Sequence, residues 1–468
     1  LPNAKNFLDE GGAWDLLKAE DVFKRESFAP TLTPAPTLTP MPTNNSLMPE
    51  DCADPSIAVY DELEAGLSHC TLHCSGVCDL RLTPSDGNFK MEKDLEIMTS
   101  GRIYGGSSRP TIAPSSDFDE ESYGAFKING WENPGMTMTF ERLRFSGWHR
   151  ASDNDIRRII YVQSGASMDI IDCIFEDNTV PMSAVYHVGG GPLLVASSIF
   201  RNNIAEEATE TDDDESKDIK NSGKGSAMRV TDGTLEVRHS IFEGNTQYKQ
   251  GAVYTWDTLN ISLTNCTFAD NEATDGRGGA VALEVSDEPK DMDRSSLQVR
   301  DCTFRGNEAK GGAGGALYAL RIGNVNISNC LFEENKATDD HGGGAYVQRP
   351  QEDDAENLAA ASRLDVRDTT FRANEAKDSG GGLYALQVSN VAIVNCLFEA
   401  NKAKEEKGGG FYVLPYHQHT FSDVRVRNTV VESNEAKGNG GGAFVGSAAT
   451  TTFKDVVVED NEATDGLG

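Results

Sequence analysis

Val325-Asn326-Ile327-Ser328-Asn329-Cys330-Leu331-Phe332-Glu333-Glu334-Asn335 is the stretch whose spacing decides the fold. Val325 and Ile327 stand two apart and share one face of a strand, and so do Cys330 and Phe332. Ile327 and Cys330 stand three apart, which breaks the alternation. A corner at Ser328-Asn329 repairs it, so that both short strands face one interior. The template is therefore apolar-x-apolar-x-x-small-x-Phe-x-x-Asn.

Working outward, the template recurs with its Asn at Asn178, Asn203, Asn245, Asn271, Asn307, Asn335, Asn374, Asn401, Asn434 and Asn461. The aromatic is Phe175, Phe200, Phe242, Phe268, Phe304, Phe332, Phe371 and Phe398, with Val431 and Val458 in the last two copies. An earlier copy, Met138-Phe140-Leu143-Phe145, carries Trp148 where the Asn belongs. A parity break at one fixed place in every copy is what closing a solenoid coil requires, and each coil then touches only its neighbours. The expected fold is all-β, a right-handed parallel β-helix solenoid of about a dozen coils. A short Cys-rich N-terminal segment and an extended N-terminal arm precede it. The ten Asn are read as an interior ladder: each sits in a turn in the left-handed conformation and bonds the amide one coil away. Cys266, Cys302 and Cys330 are read as a stack of small apolar side chains.

A second motif follows each Asn: Gly278-Gly-Ala280, Gly314-Gly-Ala316, Gly343-Gly-Ala345, Gly381-Gly-Leu383, Gly409-Gly-Phe411 and Gly441-Gly-Ala443. Its glycines are expected to supply the positive φ of a corner before the coil's third strand. Insertions at 285–296, 348–363 and 414–423 leave from the same corner of every second coil, so the repeating unit is a coil pair.

The alternation of F-x-x-N with G-G-A resembles the repeats of chlamydial polymorphic membrane proteins and, more broadly, pectin-lyase-like β-helix proteins, over roughly 130–468. Ile103-Tyr-Gly-Gly and Arg109-Pro-Thr-Ile112 look like opening coils of pectin-lyase-like chains. The resemblance implies a solenoid and, through the chlamydial family of surface adhesins, a place at a cell surface. The C-terminal β-barrel through which that family is exported has no counterpart in this sequence.

Upstream the chain divides into 1–27, with a short apolar-periodic stretch that suits a helix, and 28–49, where Ala29-Pro-Thr-Leu-Thr-Pro34 repeats as Ala35-Pro-Thr-Leu-Thr-Pro40 and forms a polyproline-II spacer. The Cys-rich segment is 50–80, and the solenoid 81–468, with regular coils from about 136. Cys52, Cys70, Cys74 and Cys78 are disulfide candidates with three connectivities open, and a metal site with His69 and His73 is the competing reading. The five coil cysteines are expected to stay reduced. Asn44, Asn260, Asn265 and Asn326 head N-x-Ser/Thr sequons and are glycosylation candidates, with glycans as corresponding partners. Leu1 is not an initiator Met and no signal-peptide core follows, so a processed or partial chain is expected. The last coil stops where earlier coils begin their next strand, so the natural chain is expected to continue or a neighbour to complete it.

Lys and Arg number 42 against 74 Asp and Glu, a net charge of −32. That argues against nucleic acid and anionic membranes as partners. No apolar run is long enough to span a bilayer. Paired carboxylates with His and Arg, as in polygalacturonase-type sites, are incomplete. Asp339-Asp340-His341 is the nearest candidate and reads as a solvated turn without a convergent partner. His417 and His419 read as an exposed loop, and Asp212-Asp213-Asp214-Glu215 as an acidic insertion lacking the ligand spacing of a calcium loop. Outward strand positions read as mixed and uncoordinated. No catalytic residue, cofactor or metal is therefore expected, and an acidic chain should repel polyuronate. The functional expectation is an extracellular or cell-surface structural or adhesive protein, a filament protomer that self-associates end to end. Trp14, Leu17 and Phe23 of the arm would be buried between chains. The alternatives are a polysaccharide-binding or -cleaving enzyme and a solitary surface adhesin.

Overall fold

The computed structural model describes residues 77–468 except 86, 107–108, 117, 119–124, 132, 150–157, 207–222, 287–293, 350–361, 416–421, 447 and 449, together with residues 56–57, 63–64 and 67. Trp14, Leu17, Phe23, Asn44, Cys52, Cys70, Cys74, Asp212 to Glu215, His417 and His419 lie outside the described residues.

One coil shows the architecture. The strand Asn324–Ser328 runs to a corner, Leu331–Glu333 to a second corner, and the two-residue strand Lys336–Ala337 to the glycine turn; Ala345–Gln348 follows. The next coil repeats the path directly alongside: Val325 pairs with Leu364, Phe332 with Phe371, Ala337 with Ala376 and Ala345 with Leu383, all parallel. Stacking builds three parallel sheets. Sheet A holds 25 strands, from the first two segments of each coil. Sheet B holds 12, from the segment after the glycines, and sheet C holds 10 two-residue strands. Each coil advances by about the ordinary interstrand spacing of 4.8 Å. The apolar positions of the template are interior: Val325, Ile327, Cys330 and Phe332 are all buried, as are their counterparts along the stack until the last described coil, where Phe453 and Val458 are exposed.

The corners work by backbone conformation. At the first, the residue before the Cys position is left-handed, as in Asn265, Asp301, Asn329, Asp368 and Asn395, with φ between 50° and 56°. At the second, the left-handed residue is not the ladder Asn, contrary to expectation, but the one before it: Asp177, Asn202, Gly244, Asp270, Gly306, Glu334, Ala373, Ala400, Ser433 and Asp460. The division of labour is physical. One residue bends the chain, and that bend aims the next side chain inward.

The glycine motif is also shifted from the sequence alignment. Gly278, Gly314, Gly342, Gly380, Gly408 and Gly440 are the positive-φ members, at 60–71°. Val281, Leu317, Ala345, Leu383 and Phe411 then share one strand position. Ala345 is thus a strand residue, whereas Ala280 and Ala316 precede the strand. Close approach fixes the middle glycine, since a Cβ on Gly343, Gly381 or Gly409 would meet the carbonyl oxygen of the glycine one coil on at 2.2–2.4 Å. The solenoid also begins before residue 81. Ser56–Ile57 pairs with Val77–Leu82, which pairs with Ser100–Gly105, so Cys78 is a sheet A residue.

Candidate functional site

The interior of the second corner is a continuous amide ladder. Asn178 Nδ2 donates to Asn203 Oδ1 at 2.8 Å, and the same bond runs through Asn245, Asn271, Asn307, Asn335, Asn374, Asn401 and Asn434 to Asn461 at 2.9 Å. The second hydrogen of each Nδ2 goes to the carbonyl of the template aromatic one coil earlier, as from Asn335 to Phe304 at 2.9 Å. From Asn245 to Asn461 each Oδ1 also accepts a backbone N–H from the preceding coil. Along that stretch both lone pairs and both hydrogens are used, which is what a buried amide needs. Trp148 starts the row: its backbone N–H donates to Asn178 Oδ1, and its indole N–H donates to the Ile112 carbonyl, the task that Nδ2 performs in later coils. The misfit in the template is therefore a functional equivalent.

Beside the amides, Phe145, Phe175, Phe200, Phe242, Phe268, Phe304, Phe332, Phe371 and Phe398 stack with centroids 4.4–5.0 Å apart and planes within 9°. Where Val431 ends the row, Phe411 from sheet B leans against Phe398 at 5.0 Å and takes up the missing volume.

The cysteine position is polar in its task, not merely small and apolar. Its atom accepts the N–H of the corresponding residue one coil earlier: Cys173 N–H to Ser198 Oγ, Ser198 to Ser240 Oγ, Cys266 to Cys302 Sγ, Cys330 to Thr369 Oγ1 and Cys396 to Thr429 Oγ1. Cys, Ser and Thr interchange because each places one acceptor on Cβ. Cys173, Cys266, Cys302, Cys330 and Cys396 are free and buried. Burial pushes the Cys173 and Cys396 thiols up to about 12. Cys78 is disulfide-bonded, and its partner lies outside the described residues.

Sheet B carries an aromatic column built from the residues that follow the glycine motif. Tyr318, Tyr346, Tyr384, Tyr412 and Phe444 stack at 4.8–5.2 Å. The ring faces cover one another, so this column offers edges and hydroxyls to its surroundings, not a stacking platform.

The Asp340-His341 turn gains a partner that the sequence reading missed. Asp378 comes from the next coil, and the donor atoms of Asp340, His341 and Asp378 lie within 4.8 Å of one another. His341 Nδ1 accepts the Ser379 N–H at 3.0 Å, its Nε2 faces Asp340 at 3.5 Å, and its ring lies flat on Tyr384 at 4.2 Å. A neutral His341 so held keeps its proton on Nε2 and offers the carboxylates a hydrogen bond, not a lone pair to a metal. Burial pushes the Asp378 carboxyl up; His341 opposes this, and Glu406, Asp340 and Glu405 add to it.

The outward face of sheet A departs most from expectation. In the first segment of its last six coils, the outward positions carry Arg300, Arg363, Arg367, Arg425, Arg427 and Lys454, against the carboxylates Asp365 and Asp423, while the second segment carries Arg305 and Arg372 against Glu333, Glu399, Glu432 and Glu459. The positive charge is a strip along the first segment and not a property of the whole face. Asp365 is buried between Arg363 and Arg367, at 2.8 Å from each. Ala392, small between Asp365 and Arg425, makes a dent that becomes a recess of about 480 Å³ lined by Asn324, Arg363, Asn390, Val391, Ala392, Asp423 and Arg425. Of the sequons, Asn260 and Asn326 are exposed on this same sheet face. Asn265 is a corner residue with φ 53° whose Nδ2 is engaged with His239 Nδ1 at 2.7 Å.

The sequence matches the family described as "Right handed beta helix region" over residues 214–350 and 355–466, more than half the chain. The chain belongs to the right-handed β-helix family. A comparison with curated proteins gives no match. Among solved structures it is similar to tailspike protein 3 of bacteriophage CBA120, at 11% identity and TM-score 0.39, with 88% of this chain and 60% of that one covered. It is also similar to the A-module of mannuronan C-5 epimerase AlgE6 of Azotobacter vinelandii, at 9% identity and TM-score 0.41, covering 88% and 99%. A third is PfbA, a surface adhesin of Streptococcus pneumoniae, at 9% identity and TM-score 0.39, covering 89% and 92%. The β-helix is what these likenesses share. No helix among the described residues is long and apolar enough to cross a membrane.

Three groups in this β-helix escaped the sequence reading: the acceptor role of the Cys/Ser/Thr position, the sheet B ring column and the arginine face. The first was legible, because Ser198, Ser240, Thr369 and Thr429 occupy the cysteine's place in the template. The ring column was legible too, because Tyr318, Tyr346, Tyr384, Tyr412 and Phe444 follow the glycine motif at one register position, whereas the arginines stand at outward positions where no period repeats.

Proposed function

We propose that this β-helix acts as a non-catalytic extracellular rod, a structural or adhesive element of a cell surface. The observation that carries this reading is the continuity of the ladders. Amides, rings and Cys/Ser/Thr side chains link each coil to the next with directional bonds, so the side chains with most chemical capability are committed to stiffness. The resemblance of the F-x-x-N and G-G-A repeats to chlamydial surface adhesins supports the same reading, as do the exposed sequons Asn260 and Asn326. Filament formation through end contacts and the arm residues Trp14, Leu17 and Phe23 belongs to this proposal, since head-to-tail contacts between identical chains propagate unless they close.

Negative-stain microscopy of the full chain, with adhesion of protein-coated beads to host or neighbour cells, tests it. Stiff rods of one width, alone or in end-to-end multiples, together with bead adhesion are expected. Release of new reducing ends or unsaturated sugars from a polysaccharide panel would overturn the non-catalytic assignment.

A further inference from the structure

We propose that the outward face of sheet B is a docking strip for an extended proline-rich peptide, and that its occupant is the Pro/Thr spacer, residues 29–41, of a second copy of this chain. This deepens the self-association within the proposed function and rests on that reading for its purpose; the match of periods stands by itself.

The strip comes first. Trp256, Glu284, Leu320, Gln348, Leu386 and Leu414 are successive neighbours in one outward column of sheet B. Trp256, Leu320, Leu386 and Leu414 are half-buried and pack against the column of Tyr254, Tyr318, Tyr346, Tyr384 and Tyr412, so the two columns form one apolar face. A contiguous apolar face on the outside of a highly charged chain marks an interaction surface. Trp256, Leu320 and Leu386 stand at every second coil, with the polar Glu284 and Gln348 between them. At the ordinary interstrand spacing, two coils advance by about 9.6 Å.

The occupant comes next. In the polyproline-II form that the spacer sequence predicts, the chain turns every three residues and one edge repeats at about 9.3 Å. That edge is Ala29, Leu32, Ala35, Leu38 and Met41, apolar throughout. Leu32, Ala35 and Leu38 therefore fall opposite Trp256, Leu320 and Leu386, in either chain direction, with an accumulated mismatch of only about 0.6 Å. Prolines hold the peptide extended before it docks, so little conformational entropy is lost on binding. Its carbonyls have no internal partners. Among the described residues nothing hydrogen-bonds the Tyr384 and Tyr412 hydroxyls, which leaves them to donate to such carbonyls. Aromatic-lined faces recognise proline-rich segments in this way. Ser27 to Pro49 contains no charged residue, so a second copy can bring it to this face without the repulsion that two chains of net charge −32 otherwise meet.

The test uses full-length chains in sedimentation velocity, with a fluorescent peptide of residues 28–43 as the probe. L32D/L38D spoils the spacer and L320K/L386K spoils the face; circular dichroism and an unchanged denaturation midpoint establish that both variants fold. Each variant alone should self-associate at least tenfold more weakly than the unaltered chain, and an equimolar mixture of the two should form pairs. The peptide should bind L32D/L38D, and L320K/L386K at least tenfold more weakly. A peptide with one extra Thr after Thr33 puts Leu32 and Leu38 on different edges and should also lose at least tenfold. If that peptide binds as well as the natural one, the periods are irrelevant and the strip is overturned. If L32D/L38D associates as the unaltered chain does, the spacer is not the occupant. If the unaltered chain stays monomeric while L32D/L38D takes up the peptide, each chain fills its own face and the second-copy assignment falls. Rods that adhere without this association leave the rod reading intact. Release of cleaved sugars defeats the rod reading and leaves this contact standing.

Discussion

The amide ladder and the arginine face are built from the same coils, yet they treat their polar groups in opposite ways. Asn335 spends both hydrogens and both lone pairs on neighbouring coils. On the other side of the wall, Asn324 and Asn326 are exposed and the recess around Ala392 stands open. Inside, water is excluded, so an unmatched group costs about 1–3 kcal/mol and every coil must solve the same problem the same way. Outside, water satisfies what the protein does not, and each coil is free to differ. Rigidity is therefore located in the interior columns, and recognition has only the exterior available.

That contrast can be broken most severely at Asn335. Asn335→Ala strands the Phe304 carbonyl and the Asn307 backbone N–H and removes the amide bonds to Asn307 and Asn374. A loss of several kcal/mol in chemical denaturation is expected, at about 1–3 kcal/mol per stranded group. Asn326→Ala, exposed on sheet A, should change stability by less than about 0.5 kcal/mol. Equal effects at the two sites would end the distinction between committed and uncommitted amides.

Next in size is a pH effect. His187 is buried in the sheet B wall, and burial pulls its pKa down to about 4, opposed by its bond to the Ala166 carbonyl. The unfolded chain protonates this ring near pH 6.5 and the folded chain does not. Stability is thus complete above pH 6.5 and falls as pH drops from there toward 4, by at most about 3 kcal/mol. Denaturation curves across that interval, compared with His187→Val, measure it; a variant that loses stability just as steeply would exonerate His187.

Smaller still, Cys302→Ser should cost no more than about 1.5 kcal/mol because Oγ restores the acceptor for Cys266 N–H, whereas Cys302→Val leaves that N–H unmatched and should cost more, about 1–3 kcal/mol. Thiol labelling sharpens the same point. Without reductant, the native chain should react negligibly at these five positions, and the denatured chain should yield five thiols, Cys52, Cys70, Cys74 and Cys78 being paired. A single free thiol, or bound zinc, rules out that assignment.

The coil was legible in the eleven residues Val325 to Asn335 because an interior imposes its demands locally. The two-residue parity, the three-residue break and the inward amide must all be met within one turn of the chain. The same logic makes Phe332 and Asn335 readable, and it marks Trp148 as a departure whose chemistry only the structure explains. Where the reading slipped by one residue, at the left-handed Glu334 in place of Asn335 and at Gly342 in place of Gly343, backbone conformation was the deciding quantity, and glycine-rich or polar turns do not display it in their residue types.

What the sequence by itself determined, then, is the coil: its strands, its corners to within a residue, and the identity of the interior columns. The tertiary structure alone decided which outward residues become neighbours. Asp378 reaches His341, and Arg363 and Arg425 face each other across Ala392, only because insertions of unequal length are set aside at one corner and the coils still stack in register. The interior repeats because dehydration punishes every exception. The exterior need not repeat because water forgives them, and its arrangement is written only in the stack.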